Sequence, residues 1–532
     1  MEKQHKSLPQ EGFAGLKENF STDAISGFII FLLALPLSLG IAKASEFPPI
    51  MGVVTAIIGG LVVSFFTGSK LTIKGPAAGL IVIVAGAVTE FGGGIEGWKM
   101  TLGVMVLAGL IQILFGILKL GKLVDFFPLS AVHGMLAAIG LILIAKQIPV
   151  LLNVNPQYMA HKGPLDLLAS IPIFIEHLDP TITIIGIISL IILFAWKSIK
   201  VPFLARIPAP LVVLAIAIPF SMFFDLKSTA PAYTLVKVGS LLEQVGYHAD
   251  FSGFSQTGVF FKYLVMVSLV GSLESLLTVK AIDMVDPYKR KSNANKDLIA
   301  IGIGNTISAL LGGLPMISEV ARSSANVSNG AKTQWANFFH GVFMLVFVLL
   351  AYPVLELIPN AALAAMLIAV GVRLAHPKEF IHTYRIGSEQ LAIFVTTIFF
   401  TLIEDLLVGI AAGIVLKIIF HITRGVSFRS LFRSKAEVKD NGDQLFVHLG
   451  DAAVFTNYLS LKKQLETLPK GKEVNITLDQ TKLIDHSVLE NLHHFEEEYA
   501  LTGGHIHLVG LENMNPLSKH PLAARKRKNG AN

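Results

Sequence analysis

The sequence contains no cysteine among its 532 residues. This absence excludes disulfide bonds, thiolate metal sites and cysteine nucleophiles. Charged residues are also scarce, at 15% of the chain, whereas soluble domains have about 25%. The sequence shows no nucleophile paired with a base and no nucleotide-binding loop. The spacing of His493, His494, His505 and His507 does not match a usual set of metal ligands. The sequence therefore does not indicate an enzyme.

Hydrophobic residues make up 53% of the chain and are concentrated between residues 24 and 423. A membrane-spanning helix needs about 20 mostly apolar residues, and a half-helix buried within protein needs fewer. The distribution predicts an all-α polytopic membrane protein with fourteen transmembrane segments. Their predicted positions are 24–42, 50–67, 76–90, 100–118, 130–149, 182–196, 207–224, 258–280, 298–311, 315–328, 337–352, 361–373, 389–403 and 405–423.

Basic residues cluster in the predicted loops near residues 119–122, 197–206, 289–296 and 373–385, whereas the short connections on the opposite side carry none. Because basic loops stay in the cytoplasm, this pattern predicts a multi-pass protein of the inner (plasma) membrane with both termini cytoplasmic. The net positive charge is therefore explained by the basic loops that orient the protein in the membrane, and it does not indicate a nucleic-acid-binding surface. Residues 1–23 are polar and lack the apolar core of a cleavable signal peptide.

The third and tenth segments are both short, and each follows a break that contains glycine and proline. These two positions are equivalent in a seven-plus-seven repeat, and halves with an odd number of spans have inverted orientations. The N-terminus of a broken helix offers free N–H groups and a positive dipole to an anion. The alternative is that glycine and proline only kink packed helices. The pattern predicts an anion site built from Gly75, Pro76, Ala77, Ala78, Gly79 and Ser318.

Arg322 and Ser323 lie within the tenth segment. An arginine inside a membrane costs about 2.5–3.5 kcal/mol on insertion scales, so it is expected to be functional or paired. We predict that both residues contribute to the anion site. A structural ion pair between Arg322 and Glu319, one turn earlier, is the alternative and is compatible with that role. Glu319 and Lys74 are candidate charge modulators, although Lys74 alternatively extends to the inner membrane surface.

Glu274 lies inside the eighth segment, and Thr278 follows one helical turn later on the same face. A carboxylate within a membrane helix is either protonated or paired with a cation. The two residues therefore predict a coupling-cation site for Na⁺, or for H⁺ at Glu274 alone. A salt bridge from Glu274 to Lys280 or Arg322 is the structural alternative.

Four motifs together resemble the SulP family of anion transporters, from about residue 22 to residue 515. They are Gly75–Gly79, Ser272–Thr278, Gly313–Pro315 and Arg322–Asn326. The resemblance implies two inverted seven-segment repeats, arranged as a core domain and a gate domain. It implies a substrate among bicarbonate, sulfate, chloride and dicarboxylates, and we expect a homodimer.

The tract Leu35–Ala42, together with Gly75–Leu80, resembles a bacterial branch of this family that is associated with carbonic anhydrase. This resemblance favours bicarbonate as the substrate and carbonic anhydrase as a partner. Glu274 and Thr278 align with the coupling-ion position of sodium-dependent bicarbonate transporters, where aspartate replaces the glutamate. We therefore expect secondary active symport with Na⁺ or H⁺ and no other cofactor. A sulfate or dicarboxylate transporter, or an exchanger, is the alternative within the family.

The C-terminal region has the composition of a soluble domain. Predicted strands near residues 445–449, 474–478 and 506–509 alternate with predicted helices near 455–467 and 487–502, which indicates a small α/β domain. It resembles the STAS domain that follows SulP transporters and binds cytoplasmic proteins. Ser487 lies where related domains carry a regulatory phosphosite, and a helix N-cap is the alternative role.

These observations predict five parts of the chain: a cytoplasmic segment at 1–23, a transporter domain at 24–425, a linker at 426–440, a STAS domain at 441–515 and a basic disordered tail at 516–532. The tail is expected near the inner leaflet. Two other classes of function remain open. A nucleobase transporter uses carboxylates on the eighth and tenth helices, where Glu274 and Glu319 lie, although Arg322, Lys74 and the STAS domain favour an anion. A membrane sensor signals through its STAS domain without transport.

Overall fold

The structure is a computed structural model that describes residues 8–122, 127–160, 162–199, 207–433, 436–440, 444–500 and 502–528. Parts of several predicted features fall outside these ranges: the start of the N-terminal segment at 1–7, the end of the basic loop near 197–206, part of the linker at 434–435, the start of the soluble domain at 441–443, residue 501 of the helix near 487–502 and the last residues of the tail at 529–532. The chain divides into two units. One comprises residues 1–121 and 139–374, and the other comprises residues 122–138 and 375–532.

The first unit is helical apart from two short strands. Its elements are α1 (Gly12–Ala44), α2 (Pro49–Leu61), β1 (Lys74–Pro76), α3 (Ile81–Glu90), α4 (Gly94–Ile117), most of α5 (Leu129–Leu151), α6 (Pro164–Ala169), α7 (Ile171–Glu176), α8 (Pro180–Ala195), α9 (Ala209–Phe223), α10 (Leu226–Thr229), α11 (Leu241–Gln244), α12 (Thr257–Val285), α13 (Ala294–Leu310), β2 (Met316–Ser318), α14 (Val320–Ser328), α15 (Trp335–Leu355) and α16 (Asn360–Leu374). The strands β1 and β2 contact α2, α12 and α13, so they lie in the centre of this unit.

The second unit combines apolar helices with an α/β region. After the start of α5 its elements are α17 (Pro377–Ile386), α18 (Ser388–Ile403), α19 (Leu406–Thr423), α20 (Phe428–Phe432), β3 (Ala436–Asp440), β4 (Gln444–Leu449), β5 (Ala452–Ala453), α21 (Tyr458–Leu465), β6 (Glu473–Thr477), β7 (Leu483–Ile484), α22 (His486–Ala500), β8 (His505–Val509), β9 (Met514–Pro516) and β10 (Arg525–Arg527).

Seven helical stretches of the described chain are long and apolar enough to cross a membrane: α1, α4, α5, α12, α15, the stretch Asn360–Ile386 and α19. Five shorter apolar helices accompany them, at Pro49–Phe65, Ala78–Glu90, Pro180–Ala195, Ala209–Phe223 and Ser388–Ile403. The expectation of a helical polytopic membrane protein is therefore confirmed. The count of fourteen segments remains a prediction.

Helix α1 begins about a dozen residues before the predicted first segment, at Gly12 rather than near residue 24. The polar residues of this extension are accommodated by the fold. The carboxylate of Asp23 is buried and accepts hydrogen bonds from the backbone N–H of Lys332 and the hydroxyl of Thr333. The indole N–H of Trp335 donates to the carbonyl of Gly12 at 2.8 Å. Because these polar groups of residues 12–23 have hydrogen-bond partners, α1 begins before the apolar part of its sequence.

The α/β region contains two four-stranded sheets, ordered β3-β4-β6-β8 and β5-β7-β10-β9. Strands β4, β6 and β8 are parallel neighbours, and they coincide with the three strands predicted from the sequence. Side chains from this sheet and from α21 and α22, including Val447, Ile476 and Val488, form a buried apolar core. Strand β3 lies within the segment predicted to be a linker.

The basic tail differs from the prediction, because part of it is a strand rather than a disordered segment. In β10, Arg525 pairs with Ile484 of β7 and with Pro516 of β9. The preceding Ala523 and Ala524 are buried. Strand pairing uses backbone hydrogen bonds, which do not depend on side-chain charge. The charged composition therefore did not indicate the strand.

Candidate functional site

The two predicted helix breaks meet in the centre of the first unit. Strands β1 and β2 pair in antiparallel register, with Lys74 opposite Ser318 and Gly75 opposite Ile317. The backbone N–H of Ala77 extends the pairing by donating to the carbonyl of Pro315 at 3.2 Å. Every residue of both strands is buried. The pairing satisfies backbone groups that would otherwise be unpaired inside a membrane.

A short helix begins directly after each strand. A 3₁₀ turn at Ala78–Leu80 leads into α3, and Glu319 precedes α14. The N-cap residues of these helices, Leu80 for α3 and Glu319 for α14, make no side-chain hydrogen bond to the first N–H groups. An uncapped helix N-terminus carries a partial positive charge and N–H donors that suit an anion. The two predicted anion-binding tracts therefore share the β1–β2 crossing.

Arg322, in the first turn of α14, is fully buried. Its guanidinium group lies against Gly75, where an added Cβ would collide with it. Its Nε atom is 3.6 Å from Glu319 Oε2, so the predicted ion pair is present. None of its three side-chain nitrogens has a hydrogen-bond partner within the described part of the chain. Arg322 thus retains its donor capacity beside the crossing.

Glu274 of α12 faces the same tract from another direction. Its side chain is 6% exposed, and its carboxylate occupies the space that a Cβ on Gly79 would need. The Oε1 atom has no hydrogen-bond partner among the described residues. Thr278, one turn later, is also buried. The structure therefore brings Glu274 to the backbone of the first predicted anion-binding tract.

Lys74 is buried rather than extended to the membrane surface. Its ammonium group lies 2.9 Å from Asp297 of α13 and donates to the hydroxyls of Thr72 at 2.6 Å and Ser318 at 2.7 Å. Three donors and three partners leave no capacity for a ligand. The alternative in which Lys74 extends to the inner membrane surface is therefore wrong, and Asp297 neutralises its charge.

The hydroxyl groups of Ser318 and Ser323 have partners within the protein. Ser318 Oγ accepts from Lys74 and donates to Asp297 Oδ2 at 3.2 Å. Ser323 Oγ accepts from the backbone N–H of Ile73 at 2.9 Å. Both residues border the crossing, and their side chains hold its strands in place.

Sequence reasoning missed several polar residues that hold the crossing. Asp297 lies just before a predicted segment, so it resembled a loop residue. Asn305 donates to Gln112 at 2.7 Å and accepts from the backbone N–H of Met316 at 2.6 Å. Asn337 accepts from the backbone N–H of Lys74. Gln112, Asn305 and Asn337 are polar side chains within apolar segments, which is the signal that identifies them.

A second cluster of buried charge lies in the second unit. Lys417 of α19 lies 3.1 Å from Asp485 and donates to Ser487 Oγ at 2.9 Å. His421 Nε2 lies 3.6 Å from Asp485, and all four side chains are at most 2% exposed. Asp485 Oδ1 accepts from the backbone N–H of Val488, so Asp485, rather than Ser487, caps α22.

Burial alone would raise the pKa of Asp485. The positive charges of Lys417 and His421, together with hydrogen bonds from the backbone N–H groups of Val488 and Phe455, outweigh it and hold the pKa below its ordinary value. No group of three or more His, Asp or Glu side chains in the described ranges has an arrangement that would hold a metal ion.

Residues 20–397 match the sequence profile of the sulfate permease family. The chain is 28% identical over 415 residues to YvdB of Bacillus subtilis, a protein named as a sulfate transporter; the match covers 76% of this chain and 74% of YvdB. It is 25% identical over 422 residues to the bicarbonate transporter BicA of Picosynechococcus sp., covering 77% of this chain and 72% of BicA. The murine anion transporter Slc26a9, solved in an inward-facing state, has a similar fold. Its TM-score is 0.65 at 16% identity, over 95% of this chain and 90% of that one.

Proposed function

Because the chain belongs to the sulfate permease family of anion transporters, we propose that it is a secondary active transporter of bicarbonate and that Na⁺ or H⁺ drives the uptake. The anion binds at the crossing of β1 and β2, and the cation binds at Glu274. The α/β region of the second unit regulates the cycle as a STAS domain. The contacts that support the anion site, the cation site and the regulatory contact each lie within one unit.

The observation that carries the anion site is the unsatisfied guanidinium group of Arg322. A buried charged donor without hydrogen bonds is costly, and an oxyanion beside Gly75 would supply the missing acceptors. The planar fork of arginine matches two oxygens of a planar carboxylate-like anion. Bicarbonate has that shape. The uncapped N-termini of α3 and α14 add partial positive charge on the same side.

The charge balance of the crossing favours a monovalent anion. Lys74 is neutralised by Asp297, and Glu319 lies 3.6 Å from Arg322. The remaining positive charge comes from the two helix N-termini and from the part of Arg322 that Glu319 does not balance. A site with so little net charge compensates bicarbonate better than a dianion such as sulfate. The sulfate-transporter name of YvdB keeps sulfate as the second candidate.

The unsatisfied carboxylate oxygen of Glu274 supports a cation at this position. A buried carboxylate with an oxygen that accepts no hydrogen bond from the described residues is neutralised by a proton or by a bound cation. Thr278 would add a hydroxyl ligand if the cation is Na⁺. A cation bound beside Gly79 also stabilises an anion bound at the same tract, which couples the two binding events.

The contact between α19 and Asp485 supports a regulatory role for the α/β region. Helix α19 is apolar enough to span a membrane, and its Lys417 side chain pairs with Asp485 and Ser487. A phosphoryl group on Ser487 requires this contact to open, because Ser487 is buried. Opening would release Lys417 and thereby change the packing of a transmembrane helix. Ser487→Asp is expected to slow uptake, with Ser487→Ala as the matched control.

Flux measurements on the purified protein in liposomes test this proposal. We expect uptake of labelled bicarbonate that exceeds sulfate uptake and depends on a Na⁺ or H⁺ gradient, and no uptake of uracil. Arg322→Ala should abolish the bicarbonate flux, and Ser324→Ala, an exchange on the same helix, should not. If the sulfate flux is faster than the bicarbonate flux, sulfate is the preferred substrate and the bicarbonate proposal is wrong. Absence of any flux would favour a membrane sensor and overturn the proposal.

A further inference from the structure

A cavity of about 380 Å³ lies at the end of α1, and none of the residues of the β1–β2 crossing line it. Its walls come from the last turn of α1, the first residue of α2 and the loop between α10 and α11. The lining residues are Lys43, Pro49, Ala232, Tyr233, Leu235 and Lys237. In the predicted orientation, α1 ends at the outer face of the membrane. The cavity therefore opens where an anion would arrive before uptake.

The loop wall of this cavity is held by hydrogen bonds. Asn360 Nδ2 donates to the carbonyls of Tyr233 at 2.7 Å and Leu235 at 2.9 Å. The backbone N–H of Val236 donates to Ile358 at 3.0 Å. Asn153 Nδ2 donates to the hydroxyl of the fully buried Thr234 at 3.1 Å. These bonds hold the backbone on both sides of Leu235, so Lys237 projects from an ordered wall.

The two lysines of the cavity have like charge, and neither has an acidic partner among the described residues. Lys43 is close enough to Lys237 for the two ammonium groups to repel each other. Neither forms a salt bridge with any described residue. The neighbouring Lys227, by contrast, lies 4.0 Å from Glu356. The C-terminal dipole of α1 favours Lys43 but does not account for Lys237.

The N-terminus of α2 adds to the positive potential of the cavity. Helix α2 begins at Pro49, which lines the cavity, and it has no side-chain cap. Two ammonium groups and a helix N-terminus in one cavity form an attractive site for an anion. The apolar surfaces of Leu235 and Pro49 reduce the competing hydration. The mutual repulsion of the lysines is relieved when an anion binds between them.

We infer that this cavity is a second anion-binding site, which takes a small inorganic anion and supplies it to the transport pathway. The ligand class rests on the proposed function, since the transported anion is the one expected to bind here. The site raises the local anion concentration and does not take part in the alternating-access step. It should therefore affect the apparent affinity for external anion more than the maximal rate.

Transport kinetics test the effect on affinity. In proteoliposomes oriented with the cavity outward, the double variant Lys43→Gln/Lys237→Gln should raise KM for labelled bicarbonate about tenfold at low ionic strength. Vmax should stay unchanged, and the difference should shrink in high concentrations of an impermeant salt. The Lys43→Arg/Lys237→Arg pair should keep the wild-type KM. Lys227→Gln is the matched control, and an equal rise of KM in that control would overturn the proposal.

A chemical probe tests the site without transport. The chain has no cysteine, so Ala232→Cys places a single exposed thiol at the cavity. At Ala232→Cys we measure the ratio of the reaction rate of an anionic methanethiosulfonate reagent to that of a cationic one. This ratio should be higher than the same ratio measured at Ser228→Cys. That ratio should fall about tenfold when Lys43 and Lys237 are both replaced by glutamine. If the ratio does not change when the two lysines are replaced, the second anion site is wrong. If the ratio depends on the lysines but the liposomes show no anion flux, only the proposed transport function is wrong.

Discussion

Arg322 in the first unit and Lys417 in the second are both buried cations on helices, and they differ in their partners. Lys417 forms an ion pair with Asp485 and a hydrogen bond with Ser487. Arg322 has one loose ion pair with Glu319 and no hydrogen bond from any side-chain nitrogen within the described chain. Burial alone therefore does not identify a binding residue. An unsatisfied hydrogen-bonding capacity distinguishes a group that awaits a ligand from one that joins structural elements.

The same distinction holds within the first unit. Lys74 and Arg322 both border the β1–β2 crossing: Lys74 is the first residue of β1, and Arg322 lies in the first turn of α14, the helix that follows β2. The ammonium group of Lys74 has three hydrogen-bonding partners, one of which is the carboxylate of Asp297. The paired cation is expected to control stability, and the unpaired cation is expected to control transport. Substitutions at the paired and unpaired charges test this division between stability and transport.

Asp297→Asn should cause the largest loss of stability. Removing one partner of a buried ion pair leaves the other charge uncompensated and costs about 3–5 kcal/mol. Thermal unfolding of the detergent-purified protein measures the effect. Lys74→Met combined with Asp297→Leu removes both charges and should recover most of the loss. If Asp297→Asn unfolds at the wild-type temperature, the Lys74 pair is not structural.

Arg322→Ala should lower anion uptake at least about a hundredfold, the cost typical of losing a buried charged donor to a bound anion. Thermal stability should fall less than in Asp297→Asn, because Arg322 has only the 3.6 Å ion pair with Glu319 and no side-chain hydrogen bond within the described residues. Arg322→Lys should recover only part of the uptake, since lysine lacks the planar fork. Wild-type uptake in a folded Arg322→Ala protein would contradict the anion site.

Glu274→Gln should lower accumulation against the membrane potential about fiftyfold at 100 mV, which corresponds to about 2.3 kcal/mol for each uncompensated charge. Passive exchange of anion should continue, because glutamine mimics the protonated carboxyl group. Thr278→Val distinguishes the cations: it should impair Na⁺-dependent uptake and leave H⁺-dependent uptake nearly intact. Unchanged accumulation by Glu274→Gln, with unchanged dependence on Na⁺ and pH, would make Glu274 structural.

The pH dependence of the second unit should show the smallest effect. The folded-state pKa of Asp485 lies below its ordinary value. Its stabilising contribution is therefore complete above the unfolded-state pKa of about 3.9 and is lost as pH falls through the lower folded-state pKa. Unfolding of this unit between pH 5 and pH 2, followed by intrinsic fluorescence or circular dichroism, should show that loss. Asp485→Asn should remove this component of the pH dependence, and Asp479→Asn, which carries no such pair, should not.

Sequence reasoning reached the helix breaks because their signals are local. Gly75-Pro76 and Gly313-Leu314-Pro315 interrupt apolar runs, and Arg322 and Glu274 are charged residues within predicted membrane segments. Each signal depends on a few adjacent residues and on the cost of polarity in a membrane. The strands of the α/β region were equally accessible, because alternating apolar residues have a period of two.

The partners of those residues were not accessible in the same way. Lys74 and Asp297 are 223 positions apart, and no local pattern connects them. The sequence therefore left two roles open for Lys74, and the extension to the surface proved wrong. Similarly, the basic composition of residues 525–527 indicated disorder, although the strand depends on backbone pairing with β7 and β9.

Composition and local order were sufficient to determine that this chain is a polytopic helical membrane protein with two interrupted helices and an α/β region near its end. They also identified the charged residues and the helix breaks that are energetically costly inside a membrane and that therefore indicate a function or a partner. Which of those charges is satisfied was decided by folding, because a salt bridge or hydrogen bond depends on distances between segments far apart in the chain. The antiparallel pairing of β1 with β2 sets those distances. It leaves the Arg322 side chain beside Gly75 without a hydrogen bond from the described part of the chain, while the ammonium group of Lys74 is paired with Asp297, Thr72 and Ser318.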